Sequence, residues 1–177
     1  AARLGQAWDT DGALALAGTA DEALVAAFLR DGYFARMPPK SLDRDDFPDL
    51  LERLDHLSDA DAAATLVQIV AACVAQGFEH APHPPGALYV SGGGRHNPAS
   101  RAALARASPC AVEPIQAAGL DGDMVEAQAF GYLAARVLRG LPTSAPGTTG
   151  VPAPVAGGQI AGEVRALRRH LMGPGEK

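Results

Sequence analysis

The run Leu88-Tyr89-Val90-Ser91-Gly92-Gly93-Gly94-Arg95-His96-Asn97-Pro98 constrains the fold more than any other stretch, because a short apolar segment empties into three glycines and then into an Asn-Pro helix start. A brief apolar run bounded by turn residues reads as a strand ending at one edge of a sheet. Glycines at its exit let backbone N–H groups approach a ligand with no Cβ in the way. Proline favours the first helical position, so a helix beginning at Pro98 aims its free N–H groups and positive dipole end at the bend. Such a junction is an anion site, and a nucleotide phosphate is its natural occupant. The spacing matches neither GxxxxGK[ST] nor GxGxxG, so on the residues alone a plain strand-to-helix turn stands beside the anion-site reading.

A chain of 177 residues that is 47% apolar has material for one domain or one lobe of a larger enzyme. Aromatics are only 5% and alanine is abundant, which predicts helices packed through small side chains rather than around large rings. The net charge of −5 is uneven, with thirteen acids and six bases in residues 1–62. No basic stripe marks a nucleic-acid surface, so nucleic acid is not an expected partner. The acids from Asp43 to Asp61 alternate with Arg44 and Arg53 and read as solvated helix faces rather than a metal site. Cys73 and Cys110 stand in apolar surroundings with neither disulfide nor zinc spacing, as inert buried thiols of a reducing compartment do. The opening Ala-Ala-Arg-Leu-Gly lacks the apolar core of a signal peptide, and charge interrupts the alanine-rich segments short of a membrane span. A cytoplasmic location without membrane contact is the expectation. The first residue is not methionine, so the chain reads as an excised piece of a longer one.

Along the chain, Thr19-Ala20-Asp21-Glu22 has the form of a capping box and predicts a helix from about Ala20 to Arg30, closed by Gly32. Met37-Pro38-Pro39 imposes an extended entry to a loop and a short helical turn. Ser58-Asp59-Ala60-Asp61 is a second box, followed by an apolar face of Ala63, Leu66, Val67, Val70, Val74, Gly77 and Phe78. A helix of this length is roughly 30 Å long and should be the core helix. A strand over Ala87–Ser91, a helix from Pro98 to about Ala107 and a strand from Cys110 to Ile115 make a right-handed parallel unit. Gly119 to Gly122 turn the chain into its most apolar helix, Asp123 to Arg139, stopped by Gly140 and Pro142. Residues 142–158 read as a long surface segment, and Ile160 to Leu171 as an amphipathic stretch.

Glu126 lies one turn into the Asp123–Arg139 helix, on a stripe with Phe130, Leu133 and Val137, and a carboxylate in such company has a partner as a rule. Two readings are open: a return to the N-cap amide in an Asp-x-x-Glu box, or a role facing a ligand. Lys40, Ser41 and Arg44 put three donors on one loop, as an oxyanion contact or as solvated charge. His80 and His83 read as linker residues, since proline separates them and no third ligand is near. His96 borders the glycine bend without an assigned role.

In order along the chain, several blocks resemble the C-terminal half of the anhydro-N-acetylmuramic acid kinases, sugar kinases of the actin-like ATPase superfamily. They are Pro38-Pro39-Lys40-Ser41-Leu42-Asp43-Arg44 with Phe47, Ala64-Thr65-Leu66, the run from Val90 to Pro98, Asp121 to Ala127 with Ala129-Phe130, and Gly140-Leu141-Pro142 leading to Thr149-Gly150. Their shared order spans about Asp9 to Gly162. The resemblance implies an α/β fold, namely the helix-rich C-terminal lobe of an actin-like ATPase (RNase H-like) with short parallel strands, flanking helices and the first strands of the core missing. Residues 1–177 would form that single lobe: a helical part over 20–80, a strand–glycine bend–helix–strand–helix unit over 87–140, and a loop with a C-terminal helix over 142–177.

The reaction implied is ATP- and Mg²⁺-dependent phosphorylation of 1,6-anhydro-N-acetylmuramic acid with hydrolytic opening of the anhydro ring, giving N-acetylmuramic acid 6-phosphate for peptidoglycan recycling. By the family pattern Gly92, Gly93, Gly94 and Asn97 line the nucleotide cleft, Glu126 lies near the interdomain site, and Lys40 and Arg44 are substrate contacts. Asp43 stands where the family usually has glycine, and a bulky acid there opposes close approach of a phosphate. A Gly-rich phosphate loop with its Asp-Gly pair, and an Asp-Thr-Gly-Pro-Gly-Asn-like segment carrying the water-activating aspartate, do not occur in the 177 residues. The expectation is therefore no catalytic residue and no metal ligand in this chain, no kinase activity by itself, and the missing N-terminal half as its partner. The family also implies a homodimer. A non-catalytic helical interaction module derived from a sugar kinase is the alternative, and a kinase for another sugar is a third.

Overall fold

The computed structural model describes residues 4–5 and 7–160, with the backbone but not the side chain of Arg44. It separates into two compact units, Ala1–Met37 with Leu42–Asp123, and Pro38–Ser41 with Met124–Lys177. The first unit runs through a 3-10 turn at Thr10–Gly12, α1 (Ala13–Ala17), α2 (Glu22–Phe28), a 3-10 turn at Arg44–Asp46, α3 (Leu50–Arg53) and α4 (Asp59–Gly77). It continues with β1 (Ala87–Val90), α5 (Pro98–Ala107), β2 (Ala111–Pro114) and a 3-10 turn at Ile115–Ala118. The strands pair in parallel, from Ala87 opposite Ala111 to Val90 opposite Pro114. Parallel pairing needs a crossover, and α5 is that crossover.

The long helix α4 organises this unit because it has two different neighbours on two faces. Ala71, fully buried, meets Ala103 and Leu104 of α5 with Leu88, Val90 and Val112 beneath them. That contact is built from small side chains, as the composition predicts. The other face is not: Ile69 joins Val25, Phe28 and Phe34, with Phe47 packed against the cluster. Phe28 lies 4.6 Å from Phe47 and 5.5 Å from Phe34 between ring centroids, so one of the two cores is made of rings. The buried positions of α4 are Ala62, Thr65, Ile69 and Ala71, whereas Val70 is exposed. The face expected from Ala63, Leu66 and Val70 is thus rotated, because an alanine-rich helix is apolar almost all round and its periodicity has no sharp direction.

By length and composition α4 with the turn after it, Asp59–His80, is apolar enough to cross a membrane. That corrects the expectation that charge breaks every such segment. Its packing against α1, α2 and α5 gives the same composition a use inside the first unit.

Helix starts follow local chemistry where no distant group competes. Ser58 caps α4 by accepting from the Asp61 amide at 3.1 Å, and Asn97 caps α5 by accepting from Ser100 at 3.0 Å. For α2 the expected Thr19 cap does not form. Asp21 is the cap instead, accepting from Leu24 at 2.9 Å, while the Thr19 amide donates to Asp61 at 2.7 Å. Nor does Gly32 close α2. The helix ends at Leu29, and Gly32 is absent from the glycines with positive φ. Thr65, fully buried, ties the two helices, its hydroxyl accepting from the Asp21 amide at 2.9 Å and donating to the Asp61 carbonyl at 2.7 Å.

The Asp61 carboxylate carries two of these ties, from Thr19 N–H and from the Ser58 hydroxyl at 2.7 Å. The Thr19 amide first and the Ser58 hydroxyl second pull its pKa below the usual 3.8. A carboxyl whose folded-state pKa is depressed contributes stability that is present above the unfolded value and is lost as the pH falls through the folded one. Denaturant melts of the wild type and of Asp61→Asn should therefore differ well above pH 3.8 and converge in stronger acid. Equal gaps at both ends would remove Asp61 from the acid response.

In the second unit, α6 (Val125–Leu138) is followed by the short α7 (Pro146–Thr149). Gly140, at φ 67°, ends α6 as expected. Gly140 N–H donates to Val137 and Leu141 N–H to Arg136, the paired pattern of a helix stop on a left-handed residue. Ser144 and Val155 form an antiparallel bridge, so the 142–158 segment is ordered around α7 rather than structureless. Pro39 packs against Gly150, whose φ is 73°, which explains why Pro38–Ser41 belongs to this unit. The amphipathic stretch from Ile160 lies, beyond that residue, outside the described residues.

Candidate functional site

Four of the sequence-predicted residues, Gly92, Gly93, Gly94 and Asn97, come together in the first unit at the exit of β1. Gly92 turns the chain with φ 71°, a conformation other residues adopt only under strain, and its N–H donates to the Gly122 carbonyl at 3.1 Å. Gly93–His96 then forms a 3-10 turn that hands over to α5. The amides of Gly93 and Gly94 have no acceptor among the described residues. A Cβ built on either glycine meets nothing within 4 Å, so both face open space.

That space is a cleft of about 470 Å³. Gly93, Gly94 and Asn97 form one side, and the segment Trp8–Asp11 the other. The approach is close: a Cβ on Gly12, at φ 65°, would collide with the Asn97 carboxamide. Asp9 spends its carboxylate on the start of α1, accepting from Leu14 at 2.8 Å and Ala15 at 3.1 Å. Asp11 sits at φ 54°, an uncommon place for a residue other than glycine. Trp8 is 72% exposed and presents a bare indole at the rim. None of Trp8 to Asp11 stood out in the sequence as a site. The Asp11-Gly12 pair signals a tight turn, but nothing local says what the turn will meet.

The helix N-terminus is less available than the motif implies. Asn97 spends its carboxamide oxygen on Ser100 N–H, and Pro98 has no N–H to offer. The anion-binding capacity of the junction therefore rests on the bend itself, with the Asn97 side-chain NH₂ beside it.

Arg95, between the glycines and α5, is 4% exposed. Its guanidinium donates to the Gly92 carbonyl at 2.8 Å and to Asp123 at 2.6 Å. The hydrogen bond from Arg95 is the main reason that the Asp123 carboxyl lies below its usual 3.8, opposed by desolvation. This pairing leaves no place for Glu126 as a local cap. Asp123 faces Arg95, its own amide donates to Asp121 at 2.9 Å, and α6 starts at Met124 without a side-chain cap. Glu126 is exposed in the first turn of α6, one turn before Phe130, which is exposed too.

The remaining predicted residues are divided between the two units. Lys40 and Glu126 belong to the second unit, and Arg44 to the first. Lys40 is partly buried. Arg44 opens the 3-10 turn capped by Asp43, which accepts from Asp45 at 3.1 Å while its own N–H donates to Asp46 at 2.8 Å. The acid at position 43 is thus occupied in holding its own turn. Among the described residues no group of three His, Cys, Asp or Glu side chains is placed to hold a metal. Arg53 pairs with Asp49 at 2.6 Å along α3, and burial pushes the Cys73 thiol above its ordinary value.

The family model that matches the chain, over residues 1–162, is that of anhydro-N-acetylmuramic acid kinase. Proteins named anhydro-N-acetylmuramic acid kinase are similar over nine-tenths of the chain. The one from Cereibacter sphaeroides is 59% identical over 160 residues, 90% of this chain and 43% of the relative. That from Ruegeria sp. is 56% identical over 158 residues, 89% and 42%, and that from Caulobacter vibrioides 54% over 159 residues, 90% and 42%. The chain therefore spans about two-fifths of the length of the curated relatives it matches.

Proposed function

The chain belongs to the anhydro-N-acetylmuramic acid kinase family, and from that premise we propose that it is the C-terminal lobe of an ATP-dependent sugar kinase with an actin-like core. Its substrate is 1,6-anhydro-N-acetylmuramic acid, which it phosphorylates while the anhydro ring is opened by water, giving the 6-phosphate of N-acetylmuramic acid for peptidoglycan recycling in the cytoplasm. The observation that carries this reading is the pair of unclaimed amides at Gly93 and Gly94 facing a cleft wide enough for a nucleotide. When bound, ATP supplies the phosphoryl group and Mg²⁺ offsets the charge of its oxygens.

The residues at hand fit the nucleotide better than the metal. Gly93, Gly94 and the Asn97 NH₂ offer donors to phosphate or ribose oxygens, whereas among the described residues no carboxylate cluster is built for a cation; in this reading Mg²⁺ comes with the phosphates. Glu126 and Lys40 act on the sugar side, with Arg44 on the same stretch of sequence as Lys40. Proton removal from the attacking water falls to residues of the N-terminal half, and the chain alone is inactive. A homodimer is part of the same reading.

Trp8 offers a direct test, since it is the only tryptophan in the chain and lines the cleft. Titrating MgATP into this chain should change its indole emission saturably, and calorimetry should give the same midpoint. Adding the N-terminal half should then restore phosphate transfer to the anhydro sugar. Neither emission change nor heat would leave the chain as a helical interaction module without nucleotide chemistry.

A further inference from the structure

We propose that Arg95 is a positioning residue that aims the Gly93 amide into the cleft, by holding the carbonyl of Gly92 from behind; this rests on the nucleotide reading above. The Gly92 carbonyl and the Gly93 N–H belong to one peptide plane, and in a trans peptide the two point in opposite directions. Whatever fixes the carbonyl therefore fixes the amide. Glycine at 92 leaves that plane freer to rotate than any other residue would, so the bend needs an external hold.

The Arg95 guanidinium provides it at 2.8 Å, against a looser contact of 3.3 Å from the Arg95 backbone N–H to the same oxygen. Its second arm is anchored on Asp123 at 2.6 Å. The side chain is almost fully buried while Asp123 is 72% exposed, so the ion pair is wet on one side and the carbonyl contact is not. Gly122 completes the clamp. Its carbonyl takes the Gly92 N–H, and its lack of a side chain gives the guanidinium room, since a Cβ there would lie 2.7 Å from Arg95 Nε. That Nε is buried without a hydrogen-bond partner among the described residues. A buried donor left unpaired is costly, and its presence argues that the guanidinium is placed for its two outer nitrogens rather than for its own satisfaction.

The test compares steady-state kinetics of the intact protein with Arg95→Met, Arg95→Lys and Gly122→Ala, each checked for folding by thermal melt. Arg95→Met should raise the KM for ATP about tenfold or more, with the KM for the sugar within about twofold of wild type. Arg95→Lys keeps a donor and should recover part of the loss. Gly122→Ala keeps the charge but displaces the guanidinium, and should reproduce the Arg95→Met shift, which gives a second route should Arg95→Met fail to fold. A purely structural role would lower melting temperature and the active fraction while leaving the KM for ATP in place. Saturable ATP use by the wild type with an unchanged KM in the folded variants overturns the positioning role alone. Failure of the wild type to bind ATP overturns the nucleotide reading and this proposal with it.

Discussion

Gly93→Val should weaken MgATP binding by about a hundredfold while leaving the melting temperature nearly untouched. The two halves of that result come from one observation. Gly93 has an ordinary negative φ, and a Cβ built on it meets nothing within 4 Å, so the folded chain has no steric reason to reject valine. Its added cost is a surface substitution's, within about 0.5 kcal/mol, plus a little for a branched residue in a 3-10 turn. A phosphate held by the Gly93 and Gly94 amides, however, would sit where the new methyl groups go. Losing one charge-assisted bond and the approach to its neighbour amounts to about 2–3 kcal/mol, which is the hundredfold. Calorimetric titration beside a thermal melt checks both halves. Unchanged ATP affinity with an unchanged melt would move the nucleotide away from the bend.

Gly18→Ala should be the most damaging single methyl in the described fold, about 3 kcal/mol, at the upper end for overpacking. Gly18 has an extended backbone, so the conformation itself is no obstacle; the obstacle is that its Cβ would fall on the carbonyl of Ala60 and lie 2.7 Å from the Asp61 nitrogen. Those atoms are the first turn of α4, which cannot give way without disturbing the Thr19–Asp61 tie and the Thr65–Asp21 bond behind it. A drop of roughly 10 °C in melting temperature follows for a unit of this size. Gly32→Ala is the control: nothing lies within 4 Å of its Cβ, and its melt should match the wild type. If Gly18→Ala melts with it, α1 and α4 are not in contact as described.

Both outcomes depend on contacts that the chain's local patterns do not announce. The β1–bend–α5 junction was legible because each part is written in adjacent residues: an apolar run, three glycines, an Asn-Pro start. Ser58 and the α4 boundaries were legible for the same reason, as was the stop at Gly140. The Thr19 cap and the open reading of an Asp123 box both failed because each residue had a distant competitor. The Thr19 amide goes to Asp61, and the Asp123 carboxylate to Arg95. The order of the family blocks identified the kinase lineage, yet it did not point to Trp8, which lies outside every block, or single out Arg95 within its own.

What the residues determined by themselves, then, was the starts of α4 and α5, the stop of α6, the strand–glycine–helix junction, and the family. Those rest on steric preferences and hydrogen bonds spanning a few positions, which neighbours in the chain decide between them. Only the tertiary structure decided which face of α4 is buried, what closes the cleft opposite the glycines, and which carboxylate the Arg95 guanidinium meets. An alanine-rich helix is apolar on most sides and a charged side chain reaches several partners, so those choices were left to whatever the folded path of the chain brought within reach.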